Sequence, residues 1–236
     1  MRGVSDTRRL LEEQKAYYRA RAPEYDDWFL RRGPYDGGPD ENRRWFAEVR
    51  RVRDALRGFN PKGTVLELAC GTGWWTRELA SYDVSITAVD ASPEVLELNH
   101  RASGAAGGVE YVLADVFEWK PRKLYDAVFF SFWLSHVPPG RFGEFWERVA
   151  AALKADGRVF FVDSLQRSTA VRMSRPAGED GVEIRALRDG REFRVVKLRY
   201  DPDRLQADLE KLGWRGGIRQ TDRFFIYGEL AKDQSR

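Results

Sequence analysis

Three acidic residues sit where short β-rich runs end, and their types and order suggest a nucleoside site. Glu67 lies near the end of Thr64–Ala69, Asp90 follows Val84–Val89, and Asp115 follows Val109–Leu113. A carboxylate at the first position can hold a positively charged or amine-bearing ligand. One at the second can accept two hydrogen bonds from a ribose diol. Asp115 and the amide of Val116 suit the amino group and ring nitrogen of adenine. Between the first two acids runs Gly71-Thr72-Gly73. Two glycines at a strand-to-helix turn let backbone approach a ligand that a Cβ would block, and the following helix turns its free amides toward the same spot. Singly, each has a plainer reading: Glu67 could cap a turn, and Asp90 and Asp115 could be ordinary loop acids. The argument for a site is that they fall in register with three successive strand ends.

The elements that must position these residues alternate. Ser5–Ala22 reads as a helix, Glu24–Leu30 as a short aromatic segment, and Gly33–Pro39 as a loop. Pro39 suits the first turn of a helix carrying Trp45, Val49, Val52 and Leu56 as a core stripe, stopped by Gly58 to Gly63. Strands are then expected over Thr64–Ala69, Val84–Val89, Val109–Leu113, Tyr125–Phe132 and Gly157–Asp163, with helices from Trp75, from Ser92-Pro93 and over Phe142–Leu153. Such alternation implies a doubly wound parallel sheet with helices on both faces, and ligands bind beyond the carboxyl ends of its strands. After Asp163 the alternation lapses. Val182–Leu187 and Glu192–Leu198 flank Asp189-Gly190, a hairpin signal. A helix over Pro202–Leu212 and strands over Arg215–Thr221 and Arg223–Leu230 close the chain.

In these features the sequence resembles the class I S-adenosylmethionine (SAM)-dependent methyltransferases, most closely from Thr64 to Asp163. Glu67-x-x-x-Gly71-x-Gly73 is similar to their first motif, with Ala69 where Gly is commoner. Tyr125-Asp126-Ala127-Val128 through His136 resembles the fourth-strand motif bordering the acceptor pocket, and Leu153-Lys154-x-x-Gly157 the turn before strand five. The opening Tyr17-Tyr18-x-x-Arg21-Ala22-Pro23-Glu24-Tyr25-Asp26 resembles the lid of the small-molecule, ubiquinone-biosynthesis-like branch.

The resemblance implies one α/β domain, a Rossmann-like, mostly parallel seven-stranded sheet. It divides into a helical lid (1–60), a SAM-binding core (61–165), and an insertion hairpin, last helix and terminal strands (166–236). It implies SAM as cofactor, S-adenosylhomocysteine (SAH) as product, and contacts from Tyr25, Glu67, Gly71, Thr72, Gly73, Asp90, Ala91, Asp115, Val116 and Ser131. Trp28, Tyr35, Phe132 and Trp133 are expected around the acceptor, an aromatic wall suited to a planar or largely apolar small molecule such as an aromatic secondary metabolite, although plain core aromatics read the same way. Arg172, Arg175, Arg185 and Arg188, after strand five, either contact an acidic acceptor or are surface charge. His136 follows strand four, where the transferred methyl should point. It is either a general base removing a proton from an acceptor oxygen or nitrogen, or a loop histidine, since positioning can suffice for methyl transfer.

Other classes fit less well. A nicotinamide-dependent fingerprint needs Gly or Ala where Thr76 stands. A nucleic-acid amino-methyltransferase would carry a Pro-Pro motif after strand four, where this chain has Ser131-Phe132-Trp133-Leu134. The only cysteine, Cys70, lies in the first motif, so neither a cytosine-C5 nucleophile nor a multi-cysteine metal site is expected. His100 falls inside a helix and is expected at the surface. No metal is expected, because strands four and five end in Ser131-Phe132 and Asp163-Ser164. The 40 basic and 37 acidic residues, net +3, are interleaved as a mixed-sign surface rather than a basic stripe. Neither a signal peptide nor a bilayer-spanning run is evident, so the expectation is a cytoplasmic monomer or homodimer acting on a small molecule. RNA or protein methylation, and SAM binding without catalysis, remain the alternatives.

Overall fold

The computed structural model describes residues 2–104, 108–165, 174–177 and 181–233. Helices α1 (Arg2–Arg21), α2 (Tyr25–Phe29) and α3 (Pro39–Phe59) precede the sheet. Pro39 opens α3 in its first turn, and the Trp45, Val49, Val52 and Leu56 stripe is buried as expected. Strands β1 (Gly63–Leu68), β2 (Val84–Asp90), β3 (Val109–Leu113), β4 (Tyr125–Ser131) and β5 (Leu153–Ser164) alternate with α4 (Trp74–Leu79), α5 (Pro93–Ser103) and α6 (Phe142–Ala152). After β6 (Ser174–Pro176), β7 (Val182–Ala186), β8 (Glu192–Val196) and α7 (Pro202–Lys211), the chain ends on β9 (Trp214–Gln220) and β10 (Phe225–Lys232).

The seven-stranded sheet runs β3-β2-β1-β4-β5-β10-β9. β10 pairs antiparallel with both β5 and β9, and the other pairs are parallel. β4 explains the two-sided burial: Phe130 packs against Phe145 and Trp146 of α6, while its neighbour Phe129 packs against Trp75 of α4 on the other face. Successive strand residues point to opposite faces, so one aromatic pair anchors both layers.

The structure refines the sequence reading at one element boundary and in the insertion. α6 stops at Ala152 and β5 begins at Leu153, because Leu153 already pairs with Tyr125 before a register shift brings Arg158 opposite Ala127. The expected hairpin across Asp189-Gly190 is the β7–β8 pair, and β6 adds a third antiparallel strand to it. This small sheet packs on α1 through Tyr17, Leu187 and Val195, and shares a cavity with α1, Phe132 after β4 and Ser164 of β5.

Candidate active site

The turn after β1 is shaped by backbone conformations that few side chains adopt. Ala69 (φ 51°), Gly71 (φ 59°) and Gly73 (φ 89°) all lie in the left-handed region, which disfavours residues with a Cβ. A Cβ on Gly71 would lie 3.5 Å from the Tyr25 hydroxyl, inside the cleft between turn and lid. Asp90 holds this turn in place: its carboxylate accepts from the amides of Gly71 (3.1 Å) and Ser92 (3.0 Å). Asp115 accepts from the amide of Phe117 (2.8 Å) and pairs with Lys15 of α1 at 2.6 Å. Tyr25, Gly71, Asp90, Ala91, Asp115, Val116 and Ser131 line one cleft.

Glu67, Thr72 and Gly73 lie behind that cleft rather than on its wall. The Glu67 carboxyl is buried, accepts from Thr76 (2.7 Å) through one oxygen and leaves the other without a partner. Burial pushes its pKa up to about 8. Thr72 donates its hydroxyl to Asp26 of the lid. Gly73 is a glycine because a Cβ would meet Asn99 Oδ1 at 2.2 Å.

A second cavity, of about 470 Å³, opens between α1, α2 and the three-stranded sheet. Among the described residues, Arg21, Arg175, Arg185, Lys197 and Arg199 line it, against one acid, Glu183. The Nε atoms of Arg21 and Arg185 are buried without a hydrogen-bond partner. Burial lowers the Lys197 pKa to about 8 despite Asp163 nearby. Tyr17, Tyr35 and Trp28 supply aromatic wall. Tyr18, Tyr25, Phe132 and His136 line both this cavity and the cleft. His136 is buried, with Nδ1 2.5 Å from the Val196 carbonyl and Nε2 2.7 Å from the Tyr18 hydroxyl. Desolvation, with Lys197 and Arg185 adding repulsion, holds its pKa well below the ordinary histidine value.

The fold has solved counterparts. The chain is 36% identical to DhpI in its SAH complex, covering 95% of this chain and 98% of that one with a TM-score of 0.79. Against a DhpI–SAM–HEP complex the identity is 37%, the coverage 94% and 97%, and the TM-score 0.80. The chain belongs to the class I SAM-dependent methyltransferases. A family profile described as a methyltransferase domain matches residues 65–157. The ubiquinone biosynthesis O-methyltransferase of Xylella fastidiosa (strain 9a5c) is 28% identical over 177 residues, 67% of this chain and 69% of its own. Nodulation protein S of Rhizobium tropici is 27% identical over 103 residues, 44% of this chain and 40% of its own length.

SAM is therefore the cofactor, and the cleft fits it on structural grounds: backbone without Cβ at Gly71, and carboxylates at Asp90 and Asp115 on successive strand ends. Of the expected acceptor residues, Trp28, Tyr35 and Phe132 do line the second cavity, but Trp133 does not. Phe132 adopts a positive φ of 50° and a tight turn follows. Trp133 therefore faces the cofactor cleft, its ring 6.2 Å from that of Phe117. Arg175 and Arg185 line the cavity, while Arg188 pairs with Asp27 at 2.6 Å and with Glu24 on the lid. Arg172 lies outside the described residues. Tyr18, Lys197 and Arg199 escaped sequence reasoning. Tyr18 gave a faint signal, lying one helical turn after Gln14 on one face of α1; Lys197 and Arg199 gave none.

Proposed function

We propose that this methyltransferase acts on a small acidic molecule, placing the methyl group on an oxygen of that acceptor. The observation that carries this reading is the shared wall of Tyr18, Tyr25, Phe132 and His136, with the cofactor cleft on one side and five cationic side chains on the other. Buried guanidinium groups with unfilled donors attract carboxylates and phosphates in bidentate geometry. Tyr17, Tyr35 and Trp28 offer faces for the acceptor's body.

An acid's oxygen already carries the lone pair that attacks. Bound SAM supplies an electrophilic methyl. The acceptor oxygen forms the new C–O bond, the electrons of the S–C bond go to sulfur, and the products are a methyl ester and SAH. The protein's share is to hold the acceptor in line and exclude water. His136 is neutral with its free lone pair engaged by Tyr18, so it positions rather than removes a proton. That the Xylella relative is named an O-methyltransferase supports oxygen as the acceptor atom.

The test is a mass-spectrometric screen of matched pairs, each a small carboxylic, phosphoric or sulfonic acid beside its amide or ester. SAH formation and methyl gain are expected for the acids. Equal turnover of the neutral partners would overturn the reading.

A further inference from the structure

Gly71 has both of its backbone polar groups held by side chains from other elements. Its amide donates to Asp90 at the end of β2 (3.1 Å), and its carbonyl accepts from Asn99 Nδ2 in α5 (3.1 Å). A carbonyl can only accept, so the atom facing it is the Asn99 nitrogen and not its oxygen. The remaining contacts agree. Nδ2 also donates to the Thr76 hydroxyl (2.8 Å), which in turn donates to Glu67 (2.7 Å). Oδ1 accepts from Ser103 (3.0 Å) and from Tyr111 of β3 (3.2 Å). Fully buried, Asn99 uses two donors and two acceptor sites, its whole capacity.

Glycine tolerates many backbone conformations, and Gly71 sits at a φ of 59°, so local sterics do not fix the peptide plane between Gly71 and Thr72. Asn99 does. A trans peptide carries its C=O and N–H on opposite edges. With the Gly71 carbonyl drawn inward to Asn99, the Thr72 amide points the other way, to the side on which the turn lines the cleft. We propose that Asn99 is a positioning residue for the cofactor: by holding this peptide, it makes the turn offer SAM an N–H donor instead of a carbonyl acceptor. Asn99 lies behind the turn and acts through Gly71. The reversed plane would project a carbonyl oxygen into the cleft and withdraw the donor. Nothing in this role depends on which acceptor is methylated.

Asn99→Asp tests this, because it reverses the demand at nearly unchanged size. A carboxylate facing the Gly71 oxygen repels it and attracts the Thr72 amide, so the plane should turn over. In calorimetric titrations SAM and SAH should both bind about 10- to 100-fold more weakly. Protonating the new carboxylate returns a donor to that position, so the variant-to-wild-type ratio of Kd should shrink as the pH is lowered. Taking the ratio cancels the neighbouring groups common to both proteins: Glu67, Cys70, Arg77, Asp90, His100 and Tyr111. Thr76→Val removes the other contact of Nδ2 and leaves the one to Gly71. It should lower the melting temperature and keep SAM affinity close to wild type. Equal loss of SAM affinity in the two variants, or a ratio that pH does not move, overturns the proposal. A wild-type measurement decides the matter even where Asn99→Asp does not fold. In nitrogen-15 NMR, slow solvent exchange of the Asn99 side-chain amide and a scalar coupling across the hydrogen bond to the Gly71 carbonyl carbon support the proposal, and fast exchange overturns it.

Discussion

Lys197 Nζ stands 3.5 Å from Asp163 Oδ1, and that acid is the chief group that opposes the effect of burial on the ammonium. Asp163 is fully buried, and its oxygens already accept from the amides of Ser135 (2.8 Å) and Ser164 (2.6 Å). The ammonium also donates to two hydroxyls, Ser135 at 2.7 Å and Ser164 at 3.3 Å. Backbone amides fix the acid, the acid and hydroxyls fix the lysine, and the lysine lines the cavity from that anchored position.

The first prediction follows from the Lys197 pKa of about 8, lowered chiefly by burial. If its charge attracts the acceptor, kcat/KM for an acidic acceptor should be level up to about pH 8 and fall about tenfold per pH unit above it, since this ratio reports the free enzyme. Lys197→Met should remove that inflection and leave SAM affinity unchanged. Stability moves the other way. The unfolded chain keeps the lysine proton to its ordinary 10.5, so between about pH 8 and 10.5 the unfolded state holds the extra proton and this group's contribution rises with pH. Steady-state profiles and denaturant titrations check both signs.

Asp90→Ala tests the cofactor cleft. It removes a carboxylate that accepts from two turn amides and that the proposed role pairs with the ribose hydroxyls. Charge-assisted hydrogen bonds contribute about 1.5–3 kcal/mol, so SAM affinity should fall by about 10- to 150-fold. The melting temperature should also drop, because Gly71 and Ser92 lose their acceptor. Wild-type SAM affinity by calorimetry would refute the ribose role.

The core was legible because its determinants are local. The stripe of α3, the alternation of β1 through β5 and the acids at successive strand ends are each set by a few adjacent residues, and short periodicities report them well. The second cavity was not, because it is assembled from α1, α2, the turn after β4 and a separate small sheet. No window of sequence shows that Lys197 reaches Ser135 or that Tyr18 meets His136. Trp133 was misplaced for a related reason: the positive φ of Phe132 redirects the next side chain, and phenylalanine gives no hint of it. Glu67 illustrates a third limit. Its position at the strand end was readable, but its depth behind Thr76 was not.

Gly73→Ala probes the packing beneath the first motif. The new Cβ would meet Asn99 Oδ1 at 2.2 Å, with φ at 89°. Asn99 cannot give way freely. It is fully buried, and its amide donates to the Gly71 carbonyl (3.1 Å) and the Thr76 hydroxyl (2.8 Å). Overpacking, strain and a broken buried network together should destabilise the fold by about 2–5 kcal/mol, with SAM binding lost in parallel. Gly58→Ala is the control. It lies within α3 with nothing within 4 Å of the added Cβ, and should stabilise by about 0.5–1 kcal/mol. Equal effects at the two positions in thermal melts would refute the packing argument.

The last prediction concerns the pH response of His136. Its ring is buried beside Lys197 and Arg185, which keeps the pKa well below the ordinary 6.5. Through the range from about pH 5.5 to 7.5 the folded ring should stay neutral, with its Nε2 lone pair held by Tyr18. The wild-type kcat profile should therefore show no inflection near 6.5. Stability should show one. The unfolded chain takes up a proton at the ordinary histidine pKa while the folded chain does not, so acidification below about pH 6.5 favours unfolding. Replacing the ring by glutamine removes the titrating group, so His136→Gln should lose less stability than wild type between pH 7 and 5. Its kcat should fall modestly and without a change in profile shape, because acceptor positioning rather than proton removal is affected. An inflection near 6.5 in wild-type kcat that vanishes in His136→Gln would reinstate the general base and displace the anionic oxygen as the nucleophile.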